Sequence, residues 1–324
     1  MTTAFKVPHT VAPEWPTEIA PTRFAATVRH DRPTDCQVAL LGLPDDTGVK
    51  LNRGRPGAAR GPAAFREALA RYGAAESAAQ LPRVFDAGDV EISPGSLRET
   101  HDRVTAATAA LLDRGLFPVA IGGGHDLTFP FVRAVAAKFP GLAGIYFDAH
   151  LDVRDTPGSG MPFRKLVEEC GVRALHLHGF RPAVNSRAHL DWFLAHGGKI
   201  YPDGSPVRLP AAREVGAKRL AARARPAASK PAPTSNSLRL PAGCLFASFD
   251  LDVLDAAHAP GVSALNPCGW SVREAAAWVG ACGTSPAVRC FDLMELNPAH
   301  DDSGRTARVA AHLFLTFLAG FSRR

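Results

Sequence analysis

Short apolar runs without polar alternation recur along this chain, and between them lie stretches whose apolar residues repeat at helical spacing. VALLGL (38–43) is the first such run and ends in the turn-prone PDDTG, the pattern of a buried strand feeding a loop. Residues 61–73 (GPAAFREALARYG) predict a helix, with Pro62 near its start and Gly73 past its end. RVFDAGDV (83–90) reads as a strand and its exit loop, and residues 96–115 as a long helix stopped by Gly115. FPVAIGG (117–123) and LAGIYFD (142–148) predict strands on either side of the helix FPFVRAVAAKFPG (129–141). ALHLHGF, CLFASFD and AVRCFDLME are later apolar runs, each turning acidic or polar at its end, and LFLTFLAGF reads as a final amphipathic helix. Strands that lack polar alternation are buried on both faces, and strands separated by helices belong to a parallel sheet. The predicted fold is a three-layer α/β/α sandwich with a doubly wound, mainly parallel sheet. In such sheets the functional crevice lies beyond the carboxyl ends of the strands, and there the polar residues of this sequence accumulate.

Composition narrows the function classes. With 46% hydrophobic and 21% charged residues in a chain of 324, a substantial core is expected and disorder is excluded as the general state. The whole chain, 1–324, reads as a single α/β domain with a Pro-rich N-terminal extension over residues 1–35. The formal charge of +6 is local: between Arg208 and Lys230 seven bases face one acid, Glu214, an excess equal to the net charge of the chain. That segment, rich in Ala and Pro, predicts a flexible basic insertion over about residues 202–240, and a general nucleic-acid surface is not expected. Six scattered cysteines without CxxC spacing suit reduced thiols, and the opening MTTAFKVPHTVAPEW carries no secretory pattern. LFLTFLAGF is much shorter than the roughly 20 residues a membrane span needs, so a cytoplasmic protein without membrane partners is expected.

The candidate chemistry sits at three strand ends: Gly122–Asp126 (GGGHD), Asp148–Asp152 (DAHLD) and Asp250–Asp252 (DLD). In near-extended backbone, residues two apart face the same way, so Asp148, His150 and Asp152 can converge, as can Asp250 and Asp252. Alone, GGGHD is a Gly-rich turn matching neither the dinucleotide fingerprint nor a P-loop, and DAHLD could be a surface turn. Together with His125, they bring four carboxylates and two imidazoles to one crevice. Four clustered carboxylates cannot all stay ionised without cations, and two divalent ions would balance them. Hard oxygen donors with one imidazole per ion suit Mn²⁺, with Zn²⁺, Co²⁺ and Ni²⁺ as other occupants. Glu295, in LMELNP, lies at a further predicted strand end.

IGGGHD, FDAHLDVRD and SFDLDVLDAAHAPGVSA together resemble the three metal-binding signatures of the ureohydrolases, the arginase and agmatinase superfamily. The resemblance runs from about Val38 to Arg308, leaving out the basic insertion. It implies two Mn²⁺ per subunit, one held by His125, Asp148, Asp152 and Asp250 and the other by Asp148, His150, Asp250 and Asp252. Asp148 and Asp250 would bridge. It further implies a hydroxide between the ions as nucleophile, Asp152 orienting it and managing its proton, and Glu295 pairing with the amidinium of the substrate. Assembly into a homotrimer or hexamer is also implied.

The surrounding loops bear on which amidine is cleaved. Where arginases and agmatinases carry a His-Gly pair after this motif, the chain has Ser159-Gly160 in GSGMPFRKL. This stretch, NRGRPGAARGP, GFRPAVNSRAH and ELNPAHDDSGRTARVAA are similar to the formimidoylglutamase branch. Met161 and Leu265-Asn266 depart from that branch without touching the ligands. The implied reaction is N-formimidoyl-L-glutamate plus water giving L-glutamate and formamide, a step of histidine breakdown. A dicarboxylate substrate calls for cations, and Arg164, with Arg55 second, are the candidates. The rival readings are an agmatinase or guanidinobutyrase releasing urea, and a metal-binding pseudoenzyme of the same fold.

Overall fold

A computed structural model describes residues 5–73, 81–203 and 243–324. Its centre is a nine-stranded sheet in the order β1-β3-β2-β4-β9-β8-β5-β6-β7. The strands are β1 (Thr10–Val11), β2 (Val38–Leu43), β3 (Val84–Val90), β4 (Phe117–Gly122), β5 (Ala143–Phe147), β6 (Leu175–His178), β7 (Gly198–Tyr201), β8 (Leu245–Asp250) and β9 (Val288–Met294). Every pairing is parallel except that of β1 with β3. The expected sandwich is therefore present, and the Pro-rich N-terminal segment adds its one antiparallel edge. That segment is also tied inward, because Trp15 Nε1 donates to Asp86 Oδ2 at 2.8 Å and Phe24 is buried.

The helices are α1 (Thr47–Leu51), α2 (Gly61–Leu69), α3 (Leu97–Asp113), α4 (Thr128–Lys138), α5 (Pro162–Cys170), α6 (Arg187–Ala195), α7 (Val272–Thr284) and α8 (Arg305–Phe321). Their starts carry local signals: Ser96 accepts from Glu99 N at α3, and Ser271 with Glu274 forms a capping box at α7. Side chains alternate along the buried strands and so feed two cores. Leu40, Ile121, Phe147 and Phe249 meet Phe65 of α2, Val279 of α7 and Phe314 of α8. Leu41, Ala120, Tyr146 and Phe246 instead meet Val104 of α3, Val132 of α4 and Phe163 of α5. An all-apolar strand is thus one that serves two helical layers. Among the described residues, no helix is long and apolar enough to cross a membrane. The basic insertion lies outside the described residues apart from its first two positions, 202 and 203.

Candidate metal centre

Four neighbouring strands, β4, β9, β8 and β5, end at one crevice. β4 leads through Gly123, whose N donates to Leu43 O at 3.0 Å. A Cβ there would stand 1.9 Å from Asp45 O, so only glycine passes, and the chain then turns to present His125. β5 leads into Asp148–Asp152 and β8 into Asp250–Asp252, and both exits use the same local device. Asp148 Oδ1 accepts from His150 N at 2.6 Å, and Asp250 Oδ1 accepts from Asp252 N at 2.7 Å. Each aspartate therefore caps its own turn with one oxygen and leaves the other to face the crevice. Asn185 clamps the DAHLD loop from outside, accepting from Leu151 N and donating to Ala149 O.

The predicted ligands converge. His125 Nδ1 lies 3.1 Å from Asp148 Oδ2, 2.9 Å from Asp152 Oδ2 and 3.0 Å from Asp250 Oδ2. His150 Nδ1 lies 3.3 Å from Asp148 Oδ1 and 3.0 Å from Asp252 Oδ2. Two groups of donors within mutual coordinating reach result, one of His125, Asp148, Asp152 and Asp250 and the other of Asp148, His150 and Asp252. Asp148 is common to both; Asp250 falls in the first. Four buried polar atoms of this region, His125 Nδ1, Asp148 Oδ2, Asp252 Oδ1 and Glu295 Oε2, have no hydrogen-bond partner. Buried polar atoms are rarely left so, and a donor set of carboxylates with one imidazole per group fits two divalent cations.

Electrostatics agree. Burial, with Asp152 and Asp252 close by, pushes Asp148 up to about 6. Burial and then Asp252 push Glu295 up to about 8. Burial opposes the charge on His125, yet the surrounding Asp148, Asp152 and Asp250 prevail and hold it well above the ordinary histidine range.

Glu295 stands at the end of β9, between the strands that supply His125 and Asp250. Its Oε1 accepts from His125 N at 3.0 Å, and Asp152 and Glu295 both hold left-handed backbone, at φ 47° and 64°. Such angles are uncommon outside glycine and cluster at functional sites. A cavity of about 170 Å³ opens over the group, lined by His150, Asp152, Asp250, Asp252 and Glu295 and also by Asn52, Arg154 and Ser159.

A profile of the arginase family matches residues 36–320. The chain belongs to the arginase family. It is thereby a hydrolase of the binuclear-metal amidinohydrolase type. A formimidoylglutamase of Aeromonas hydrophila is 34% identical over 285 residues, 85% of this chain and 84% of that protein. An agmatinase of Bacillus subtilis is 30% identical over 299 residues, 89% of this chain and 92% of that protein. Among solved structures, the Mn²⁺-containing formiminoglutamase of Trypanosoma cruzi superposes with a TM-score of 0.77 at 29% identity, covering 95% of this chain and all of that one.

Within this arginase-family site, neither expected substrate cation reaches the cavity. Arg164 pairs with Glu168 at 2.8 Å one helical turn along α5 and lies over the Trp192 ring. Arg55 spends its guanidinium on the carbonyls of Pro260, Val262 and Ser263 and so fastens the loop from which Ser263 lines the cavity. The cation that lines the cavity is Arg154, whose Nη1 donates to Asn52 Oδ1 at 3.0 Å while Asn52 Nδ2 donates to Ser159 Oγ at 3.0 Å. No carboxylate pairs with Arg154 among the described residues. The signal was in FDAHLDVRD: the every-second-residue pattern of Asp148, His150 and Asp152 continues to Arg154.

Proposed function

We propose that this protein hydrolyses N-formimidoyl-L-glutamate to L-glutamate and formamide, using two Mn²⁺ held by His125, Asp148, His150, Asp152, Asp250 and Asp252. Bound there, the cations would supply Lewis-acid chemistry, lowering the pKa of a water and offsetting developing negative charge. The side chains do the rest. Glu295 Oε2, buried and without a partner, accepts from the amidinium N–H groups and orients the electrophilic carbon. Asp152, its side chain 14% exposed toward the cavity, holds and returns the proton released when water adds. The observation that carries the substrate assignment is Arg154, a guanidinium lining the cavity that pairs with no carboxylate among the described residues. It suits a substrate with an amidinium at one end and carboxylates at the other, and it would repel the cationic tail of agmatine. Similarity to formimidoylglutamases over most of the chain supports the same reading. All six cysteines are free, which supports a cytoplasmic setting.

The test is a substrate panel on the Mn²⁺-loaded protein, scored for formamide, urea and ammonia. Formamide and glutamate from N-formimidoyl-L-glutamate are expected. Urea from agmatine or 4-guanidinobutyrate, with no formamide, would replace this reading by the ureohydrolase one, and two bound ions with no turnover would indicate a pseudoenzyme. Arg154→Met is expected to raise KM about 10- to 100-fold, the worth of one charged hydrogen-bond contact, with a smaller change in kcat.

A further inference from the structure

Behind the metal centre lies a second set of buried polar groups that the proposed chemistry does not use. His125 turns Nδ1 to the carboxylates and Nε2 the other way, 3.1 Å from Ser248 Oγ. Ser248 lies two residues before Asp250 on β8, and the parallel register sets it opposite Asp292 on β9. Its hydroxyl donates to Asp292 Oδ1 at 2.6 Å, while Thr128, one turn after His125, donates to Asp292 Oδ2 at 3.1 Å. Ser248, Thr128 and Asp292 are each 0% exposed and His125 is 1%. No lysine or arginine among the described residues pairs with Asp292.

Burying a carboxylate beside two hydroxyls and one backbone N–H, with no lysine or arginine among the described residues to pair with it, is costly, so its geometry calls for a use. Donor counting supplies one. A serine hydroxyl has one proton, and the short bond to Asp292 commits it. Ser248 Oγ can then only accept from His125, which keeps a ring proton on Nε2 and, in the neutral ring, reserves the Nδ1 lone pair for a cation among the carboxylates. Without Asp292 as acceptor, Ser248 is free to donate to Nε2. The ring proton would then sit on Nδ1, where a cation must bind.

We propose that Asp292, acting through Ser248, is a positioning residue that fixes the tautomer of His125 and thereby the affinity of the first of the two cation sites. The inference rests on the metal-centre reading above but not on which amidine is cleaved. It predicts a difference between the two sites, because His150 has no contact with this relay.

The experiment is titration of the metal-free protein with Mn²⁺ alone, free ion being followed by electron paramagnetic resonance, for Ser248→Ala, Asp292→Asn, the double variant and Ser248→Thr. Ser248→Ala is expected to weaken one of two sites by about 10- to 100-fold and leave the other unchanged, the range seen for outer-shell partners of metal-binding histidines. Asp292→Asn should weaken the same site, and the double variant should be no weaker than Ser248→Ala, because the two act in series. Ser248→Thr, which keeps the hydroxyl, should bind as the parent does. The comparison of Ser248→Thr with Asp292→Asn decides the matter if Ser248→Ala fails to fold. Folded variants that bind both ions as tightly as the parent, or losses that add in the double variant, overturn the relay. A parent protein that binds no Mn²⁺ overturns instead the metal-centre reading.

Discussion

Two buried charge clusters hang on the same sheet and are built in opposite ways. At β3, Arg66 grips both oxygens of Asp86 at 2.8 and 3.0 Å and reaches Asp89 Oδ1 at 2.7 Å. Trp15 and Gly88 N complete Asp86, so that both of its oxygens have partners. At the ends of β4, β5, β8 and β9, five carboxylates share two imidazoles, and buried Asp252 Oδ1 and Glu295 Oε2 have no hydrogen-bond partner. The first cluster carries its own cation and ties the N-terminal segment and α2 to the sheet edge. The second is short of positive charge and must obtain it from protons or metal ions. Satisfaction marks a structural ion cluster, and a deficit of countercharge marks a functional one.

Removing the shared aspartate should give the largest effect. Asp148→Asn is expected to lose both ions and to cut turnover by more than about 100-fold, beyond the range of outer-shell changes; metal analysis beside the activity assay checks it. Full metal content in that variant would mean the ligand set is drawn wrongly. Arg66→Met should leave turnover per folded molecule intact but destabilise the protein by about 3–5 kcal/mol in denaturant titration, since it strands the buried Asp86 and the partly buried Asp89. Added Mn²⁺ should not restore that variant to the parent stability, whereas Mn²⁺ should stabilise the parent strongly. Glu295→Gln keeps shape and loses charge, so we expect two bound ions with kcat reduced about 10- to 100-fold, the worth of one charge-assisted hydrogen bond. Loss of metal with it would assign Glu295 to the ligands.

The smallest effect is in pH. Asp148 at about 6 and Glu295 at about 8 both lie above the values of an unfolded chain, so the unfolded state releases these protons first. Stability of the metal-free fold is therefore expected to fall as pH rises from about 4 through about 8. The rise in melting temperature on adding Mn²⁺ should be greater near the alkaline end of that window than near the acid end. An equal rise at both would show that the carboxylates are not where the ions act.

Much of the sandwich could be read from the chain because each central strand is apolar on both faces, and that property is local. β1, α6, β7 and α7 lacked such a signal. β1 is two residues long, β7 is only partly buried, and α6 and α7 bury few large apolar side chains. The ligand turns were legible for a similar reason. Asp148 and Asp250 each cap a turn two residues long, so the sequence of the turn carries its shape. Substrate cations were not legible: Arg164, Arg55 and Arg154 are alike as residues, and only their surroundings distinguish a paired, a carbonyl-bound and a cavity-facing guanidinium.

By itself, then, the order of residues determined the layers, the strand-end turns and the kinds of donor atom, since these depend on near neighbours and on the two-residue period of a strand. Tertiary structure alone decided that β9 inserts between β4 and β8, which sets Glu295 over the crevice and Asp292 opposite Ser248. Strand order and register join residues far apart in the chain, His125 and Glu295 standing 170 positions from each other, and no short-range pattern encodes such a pairing. It is fixed by how two helical layers bury a whole sheet between them.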